Sequence, residues 1–390
     1  MESTVASTLT TLGALLVLGL LAQVIGQRTK IPRVTMLILL GMLMGKLGLD
    51  FIPAGTDASL DYVTKTALTM IGFLLGGKLN QDSLKEHGKS ALIFSLLVTI
   101  GTFLVVFTGL KLIGLSSALA AVFACISLAT DPIATLDVLN NSAGRSRLKF
   151  VLPGIVALDD VFGLLLFAVV MALLTLTNGH GSGLELVFDA SVELFGSMFL
   201  GVVLGFPMAK LSGRIKEGEP TLIEALGMVM LCGGISLLFD LSYLLAGISM
   251  GLTVSVFASH HKFYFHEIEH IEMPFLMLFL ILLGASFEPG DWAVMSLIGL
   301  SYIILRIIGR IVGAQFYSRT RLLDFRERTY LGLSLLPQAG VALGIAVYAQ
   351  REFPEIAQQV VAITIGATIF FELLGPVLTG WSLARTDRAE

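Results

Sequence analysis

The sequence predicts an all-α, polytopic membrane protein with about thirteen transmembrane helices. Hydrophobic residues make up 55% of the 390 residues and charged residues only 14%, whereas soluble domains carry about 25% charged residues. The apolar residues form runs close to the ~20 residues that span a bilayer. The chain also contains 41 glycines, a residue type that lets membrane helices pack closely. This composition excludes a soluble multidomain protein and a disordered chain.

Each apolar run along the chain predicts one membrane-spanning helix. The first run lacks the basic segment of a cleaved secretory signal, so we expect it to be retained. In order, the runs lie at residues 5–26, 31–48, 60–78, 90–112, 115–140, 149–176, 184–209, 221–239, 241–258, 273–287, 291–317, 328–349 and 357–383.

The lysines and arginines between the runs predict the orientation of the chain. Nineteen of them lie in the C-terminal tail or in and beside the loops after the odd-numbered runs, against four toward the other side. Cytoplasmic loops of membrane proteins are enriched in these residues. We therefore expect the N-terminus outside and the C-terminus in the cytoplasm.

Two pairs of similar segments predict an internal repeat. GFLLGGKL at 72–79 is similar to LILLGASF at 280–287, and the apolar runs interrupted by Pro132 and Pro337 are offset by nearly the same distance. The offset corresponds to seven helices, an odd number, so the two halves should lie inverted in the membrane. Inverted repeats with paired broken helices are typical of secondary transporters. The predicted organisation is one transporter domain with repeats at 1–180 and 216–390 and a linker helix at 181–215.

Asp159 and Asp160 are the first candidates for a functional site. They lie about eleven residues into the sixth run, or roughly 16 Å at 1.5 Å per residue, which is close to the bilayer midplane. Ionisable groups at this depth require a partner or a water-filled path. Two close carboxylates in a poorly solvated site resist double ionisation. Such a group can hold a proton or a hard cation, which prefers oxygen ligands.

The sequence Thr130-Asp131-Pro132 predicts a break in the fifth helix. Proline interrupts the helical hydrogen bonds and biases the residue before it away from helix. The break should expose two half-helix ends. We expect Asp131 to compensate the positive end and Thr130 to offer oxygen atoms to an ion. A kink with a capping aspartate is the simpler alternative, and both interpretations can hold for Asp131.

Arg306 lies near the midplane of the eleventh run and stays charged there. We expect it to pair with the free carboxylate of the Asp159–Asp160 pair; the alternative is that it compensates the dipoles of the broken helices. Arg310, one turn further on, is interpreted as structural or as reaching toward the membrane surface, with Glu372 as its possible partner. The remaining accessory candidates are Asp137, which would line an inner funnel, and the polar Gln338.

Together these residues resemble the monovalent cation/proton antiporters, in the branch that contains the NhaA and NapA sodium/proton antiporters. The resemblance covers nearly the whole chain. It rests on Thr130-Asp131-Pro132, LDD at 158–160, R-x-x-G-R-x-x-G-A at 306–314, LLPQAGVALG at 335–344 and ELLGP at 372–376.

The resemblance implies a thirteen-helix, NhaA/NapA-like inverted-repeat fold with a dimerisation domain and a moving core domain. It implies a homodimer in the bacterial inner membrane that works by elevator-like alternating access and serves pH homeostasis. By motif position, Asp160 is the essential ion and proton site, with Asp159, Thr130 and Asp131 beside it. The expected ligands of the monovalent cation are Asp160, Asp159 and Thr130.

One departure from the family pattern bears on stoichiometry. Members with two aspartates usually carry lysine at the position of Arg306. A lysine could release its proton during transport, whereas an arginine does not. Electrogenic exchange and electroneutral exchange, with Asp159 locked to Arg306 and only Asp160 cycling, both remain open.

We therefore expect a secondary antiporter that exchanges Na⁺, or alternatively K⁺ or Li⁺, for H⁺ across the membrane. The other partners expected are membrane lipid and a second copy of the chain, without a cofactor or nucleic acid. A sodium-coupled organic-anion transporter is the alternative, although it would need more polar groups at the midplane. An intramembrane aspartyl protease is a distant third, because adjacent aspartates lack the required geometry. The sequence does not identify the cation or the pH of activation.

Overall fold

The computed structural model is all-helical across the residues it describes, which confirms the predicted fold class. The described residues are 2–29, 31–51, 57–77, 81–142, 147–178, 183–211, 221–258, 261–287, 295–316, 323–338, 340–353 and 357–386. Their α-helices, in chain order, are α1 (Glu2–Thr29), α2 (Arg33–Met44), α3 (Asp57–Gly77), α4 (Gln81–Leu112), α5 (Ser117–Ile126), α6 (Pro132–Asn141), α7 (Arg147–Asn178), α8 (Gly183–Leu211), α9 (Thr221–Leu238), α10 (Tyr243–Phe257), α11 (His261–Ala285), α12 (Leu300–Gln315), α13 (Phe325–Ser334), α14 (Gly340–Glu352) and α15 (Ala357–Thr386).

Both helices that contain a predicted proline break are interrupted. The fifth apolar run forms α5 and α6, and the twelfth forms α13 and α14. Pro132 is the first residue of α6, a position where its missing N–H and restricted φ are compatible with the helix. Pro337 lies in the interruption itself. The exact number of crossings and the inverted repeat remain predictions, as does the division at 1–180, 181–215 and 216–390.

Helices α4 and α11 begin well before the apolar runs that they contain. The run at 273–287 belongs to α11, which already begins at His261. Its first three turns mix charged and polar residues with apolar ones such as Phe263 and Ile268, so they do not form a continuous apolar run. A π-helical turn at Met295–Gly299 precedes α12.

Within the described residues, five helices are long and apolar enough to cross a membrane. Several further apolar helices are shorter, including α5 and α14 on either side of the interruptions. The five longer segments are Ala6–Thr29, Leu92–Leu112, Phe263–Ala285, Leu297–Gln315 and Gln359–Thr386.

The chain divides into two compact units. The first comprises Met1–Leu20, Phe51–Leu84 and Met171–Leu282. In it, α3 packs against α10 through glycines: a Cβ at Gly76 would collide with the Ile248 carbonyl, and one at Gly251 with the Phe73 carbonyl. Small residues of this kind let membrane helices approach closely.

The second unit comprises Leu21–Asp50, Lys85–Val170 and Leu283–Glu390. It contains both interrupted helices, the Asp159–Asp160 sequence, and the two arginines of α12. Its buried apolar cluster contains residues of α4, α7, α12 and α15, together with Leu323, Leu331 and Leu335 in and beside α13. The candidate functional residues therefore all lie in one compact unit.

Candidate functional site

The two interruptions lie against each other. The backbone N–H of Asp131 donates to the carbonyl of Pro337 at 2.9 Å, and Thr130 Oγ1 lies 3.5 Å from the Leu335 carbonyl. Residues 127–131 and 335–338 are outside regular α-helix, and four of their carbonyls accept hydrogen bonds from arginine side chains: those of Ser127, Leu128, Ala129 and Leu336. The contact brings four half-helix ends close to one another.

Asp159 is buried beside these interruptions and is held by three side chains. Arg310 Nη1 lies 2.6 Å from Asp159 Oδ2 in an ion pair with both side chains fully buried. Thr130 Oγ1 donates to the same oxygen at 2.5 Å, and Thr99 Oγ1 donates to Oδ1 at 3.4 Å. The carboxylate thus joins α4, α7, α12 and the first interruption.

The partner of Asp159 is Arg310 and not Arg306, so the expected pairing of Arg306 with the Asp159 carboxylate is wrong. Arg310 is fully buried and does not extend toward a membrane surface. Its Nη2 also donates to the Leu128 carbonyl and to Thr130 Oγ1 at 3.0 Å. The two arginines share a helix face, so only the depth at which Asp159 meets α12 distinguishes them.

Arg306 binds the carbonyl ends of both interrupted helices. Its Nε donates to the Ser127 carbonyl at 3.1 Å and its Nη2 to the Ala129 carbonyl at 2.7 Å, while Nη1 donates to the Leu336 carbonyl at 2.8 Å. The guanidinium also lies over the Phe371 ring, 4.1 Å from its centre. Since these carbonyls follow the C-terminal ends of α5 and α13, Arg306 neutralises two negative helix ends. This matches the alternative interpretation of Arg306 as a dipole-compensating residue.

Asp131 and Glu372 form a second buried carboxyl pair. Their carboxyl groups interact electrostatically, and Asp131 is 9% exposed and Glu372 2% exposed. Asp131 Oδ2 also accepts the Ala134 N–H at 3.3 Å, which caps the start of α6. Glu372 thus has Asp131 as its partner, whereas Arg310, its expected partner, is bound to Asp159.

The other sequence candidates occupy different surroundings. Asp160 follows Asp159 on α7, but its side chain lies outside the described residues. Asp137 is exposed on α6. Gln338 is fully buried in the second interruption.

Sequence reasoning missed Thr99 and Phe371, which contact Asp159 and Arg306 respectively. Thr99 lies in an apolar helix, where threonine often bonds to its own helix backbone, so it carried no distinct signal. Phe371 precedes Glu372 in the ELLGP region. A buried arginine without enough carboxylates could have prompted a search for an aromatic partner.

Known proteins resemble this chain over almost its full length. The family described as "Sodium/hydrogen exchanger, transmembrane" matches residues 13–385. The ammonium/H(+) antiporter subunit AmhT of Alkalihalophilus pseudofirmus is 24% identical over 343 residues, covering 86% of this chain and 84% of that protein. The K(+)/H(+) antiporter subunit KhtU of Bacillus subtilis is 22% identical over 355 residues, covering 86% of this chain and 84% of that protein.

A solved structure shares the fold. The sodium proton antiporter MjNhaP1 from Methanocaldococcus jannaschii, determined at pH 8, matches with a TM-score of 0.74 and 21% sequence identity. The match covers 98% of this chain and 98% of that chain. The helical arrangement described above is therefore shared by both proteins.

Proposed function

The chain belongs to the sodium/hydrogen exchanger family and is a cation/proton antiporter, and we propose that its cation and proton compete for Asp160 beside the crossed interruptions. It is a multi-pass membrane transporter and not an enzyme. Competition by itself couples the two ions. A carboxylate neutralised by either ion can move through the low-dielectric barrier, whereas an empty, charged one resists the movement.

The observation that carries this proposal is the engagement of Asp159. Its buried carboxylate is ion-paired with Arg310 and accepts hydrogen bonds from Thr130 and Thr99. An arginine does not give up its proton in a protein, so Arg310 stays charged and holds the Asp159 carboxylate in the ion pair. In this proposal, the carboxylate that binds the proton and the cation in turn is that of the neighbouring Asp160.

Oxygen atoms beside Asp160 complete the proposed cation site. Thr130 and Asp159 meet each other at the first interruption, and hard monovalent cations bind oxygen ligands. We assign Asp160 as the ligand that also takes the proton, with Asp159 and Thr130 as neighbouring oxygen donors. Asp131 lies at the same interruption and Arg306 stabilises it through the carbonyls. Asp137, Gln338, Glu372 and Arg310 are supporting residues in this proposal.

The transported cation is proposed to be Na⁺, with K⁺ and Li⁺ as alternatives. The similar AmhT and KhtU carry ammonium and K⁺ in their names, so NH₄⁺ also belongs in the comparison. Proteoliposomes containing the purified protein should be tested with each cation separately. The cation that releases protons at the lowest concentration is the preferred substrate.

The wider setting is also part of the proposal. We infer a homodimer in the bacterial inner membrane, surrounded by lipid, with the N-terminus outside and the C-terminus in the cytoplasm. The positive-inside distribution of lysine and arginine supports this orientation. Alternating access would carry Asp160 between the two aqueous sides, and exchange of cations for protons would contribute to pH homeostasis.

The decisive variant is Asp160→Asn. In everted vesicles we expect it to abolish cation-induced proton release, because asparagine holds neither a proton nor a net charge to neutralise a cation. Glu269→Gln, on the exposed face of α11, is the matched control and should transport as the parent does. Undiminished proton release by Asp160→Asn would refute the assignment.

A further inference from the structure

We propose that His266 and His270 on α11 form a binding site for a transition-metal dication of the Zn²⁺, Ni²⁺ and Cu²⁺ class, separate from the ions that are exchanged. The segment HEIEH at 266–270 places the two histidines four residues apart. Residues at this spacing lie on one face of an α-helix. Two histidines so placed bind one metal ion in the H-E-x-x-H motif, and imidazole nitrogens suit all three of these metals.

The structure presents both rings for chelation. His266 and His270 are exposed, and their ring centres are 4.3 Å apart with an angle of 75° between the ring planes. Two nitrogens bound to one zinc ion at about 2.0–2.1 Å lie roughly 3–3.5 Å from each other. Small rotations of the side chains therefore suffice to direct one nitrogen of each ring to a common ion.

A backbone hydrogen bond orients the His270 ring for metal binding. Its Nδ1 lies 2.8 Å from the carbonyl oxygen of His266. Because a carbonyl oxygen only accepts hydrogen bonds, Nδ1 carries the hydrogen, and the neutral ring then has its lone pair on Nε2. Metal-binding histidines are commonly oriented in this way, by a bond from the second ring nitrogen to a backbone carbonyl.

The opposite face of the same segment is anchored in the first unit. Tyr264 and Ile268 are fully buried, and the Tyr264 hydroxyl donates to Glu224 Oε2 at 2.9 Å. Phe265 stacks on Phe73 with the ring centres 4.8 Å apart. The backbone beneath the two histidines is therefore already ordered, which lowers the entropic cost of binding a metal ion.

The charge of the segment also favours a cation. Residues 263–274 contain three glutamates and no lysine or arginine, and clustered negative charge raises the local concentration of cations. Among the residues that the structure describes, no further histidine, cysteine, aspartate or glutamate joins the pair in one metal-binding group. Catalytic zinc sites use three protein ligands, so we expect water to complete the coordination and infer no hydrolytic activity.

Calorimetric titration of the purified, tag-free protein with ZnCl₂ tests the site. We expect one Zn²⁺ per chain in the parent and more than about tenfold weaker binding in His266→Ala and in His270→Ala, since even the outer-shell partners of metal ligands contribute about 10–100-fold to affinity. Both side chains are exposed, so the variants should fold as the parent does. His87→Ala, which changes a histidine distant in sequence, is the control and should bind Zn²⁺ like the parent.

The neighbouring His260 and His261 define the competing outcome. If they hold the metal instead, His260→Ala combined with His261→Ala abolishes Zn²⁺ binding while His266→Ala retains it, and this result overturns the proposal. Electron paramagnetic resonance with one equivalent of Cu²⁺ gives an independent readout. We expect nitrogen couplings from both imidazoles in the parent and from a single one in His270→Ala. An unchanged spectrum in that variant, or a parent that does not bind Zn²⁺, would rule out the site.

Discussion

Arg306 and Arg310 lie one turn apart on one face of α12, yet they neutralise different charges. Arg306 donates to the carbonyls of Ser127, Ala129 and Leu336, and Arg310 pairs with Asp159. The sequence predicts that buried arginines need partners but does not say which partner each one meets. One helical turn rises by about 5.4 Å. The boundaries of an apolar run define the depth of a helix in the membrane less finely than this, so they do not distinguish Arg306 from Arg310.

At the residue scale, Arg310→Gln should be strongly destabilising. It leaves Asp159 buried without its cation, and breaking a buried ion pair costs about 3–5 kcal/mol. Thermal unfolding in detergent should show a large drop in melting temperature. The double variant Asp159→Asn with Arg310→Gln should recover much of the loss, since no charge is then left unpaired. Additive losses in the double variant would contradict a direct pairing.

At the element scale, α13 packs closely against α12 and so presents the second interruption to Arg306. A Cβ at Gly332 on α13 would lie 2.6 Å from the Arg310 carbonyl and 2.8 Å from the Ile311 Cα. Both atoms belong to the backbone and cannot rotate away. The close approach thus depends on glycine, and it sets where the Leu336 carbonyl meets the guanidinium.

Gly332→Ala should therefore separate the two helices. We expect a destabilisation of about 1–3 kcal/mol from overpacking, measured by thermal unfolding, together with a lower transport rate. Gly380→Ala on α15 is the control. Its Cβ would lie 3.5 Å from Val138 Cγ1, an ordinary contact, so the better helix propensity of alanine should leave stability equal or higher. Equal stability of the two variants would argue against the packing account.

Each of the two helix interruptions was predictable from the sequence of its own helix. Proline lacks an N–H and restricts the preceding residue, so Pro132 and Pro337 mark both breaks. Their mutual contact through the Asp131 N–H and the Pro337 carbonyl was not derivable, because it joins residues 206 positions apart. Long-range pairing depends on how helices pack rather than on local propensity.

At the scale of the whole molecule, the proposed function together with the Asp159–Arg310 ion pair predicts electroneutral exchange. In that proposal Asp159 stays paired with Arg310, so only the charge of Asp160 cycles. Proteoliposome exchange should then proceed at the same rate with and without an imposed membrane potential. A rate that rises with potential would mean that a second carboxylate also releases its proton during the cycle.

The sequence by itself determined the class of protein, the helices and the short set of candidate residues. Burying charge in a bilayer is costly, so the few ionisable residues inside apolar runs stand out without a structure. The tertiary structure alone decided how those residues pair: Arg310 with Asp159, Arg306 with three carbonyls, and Asp131 with Glu372. Composition and periodicity report the environment of each segment, whereas a salt bridge depends on ångström-scale distances between segments far apart in the chain.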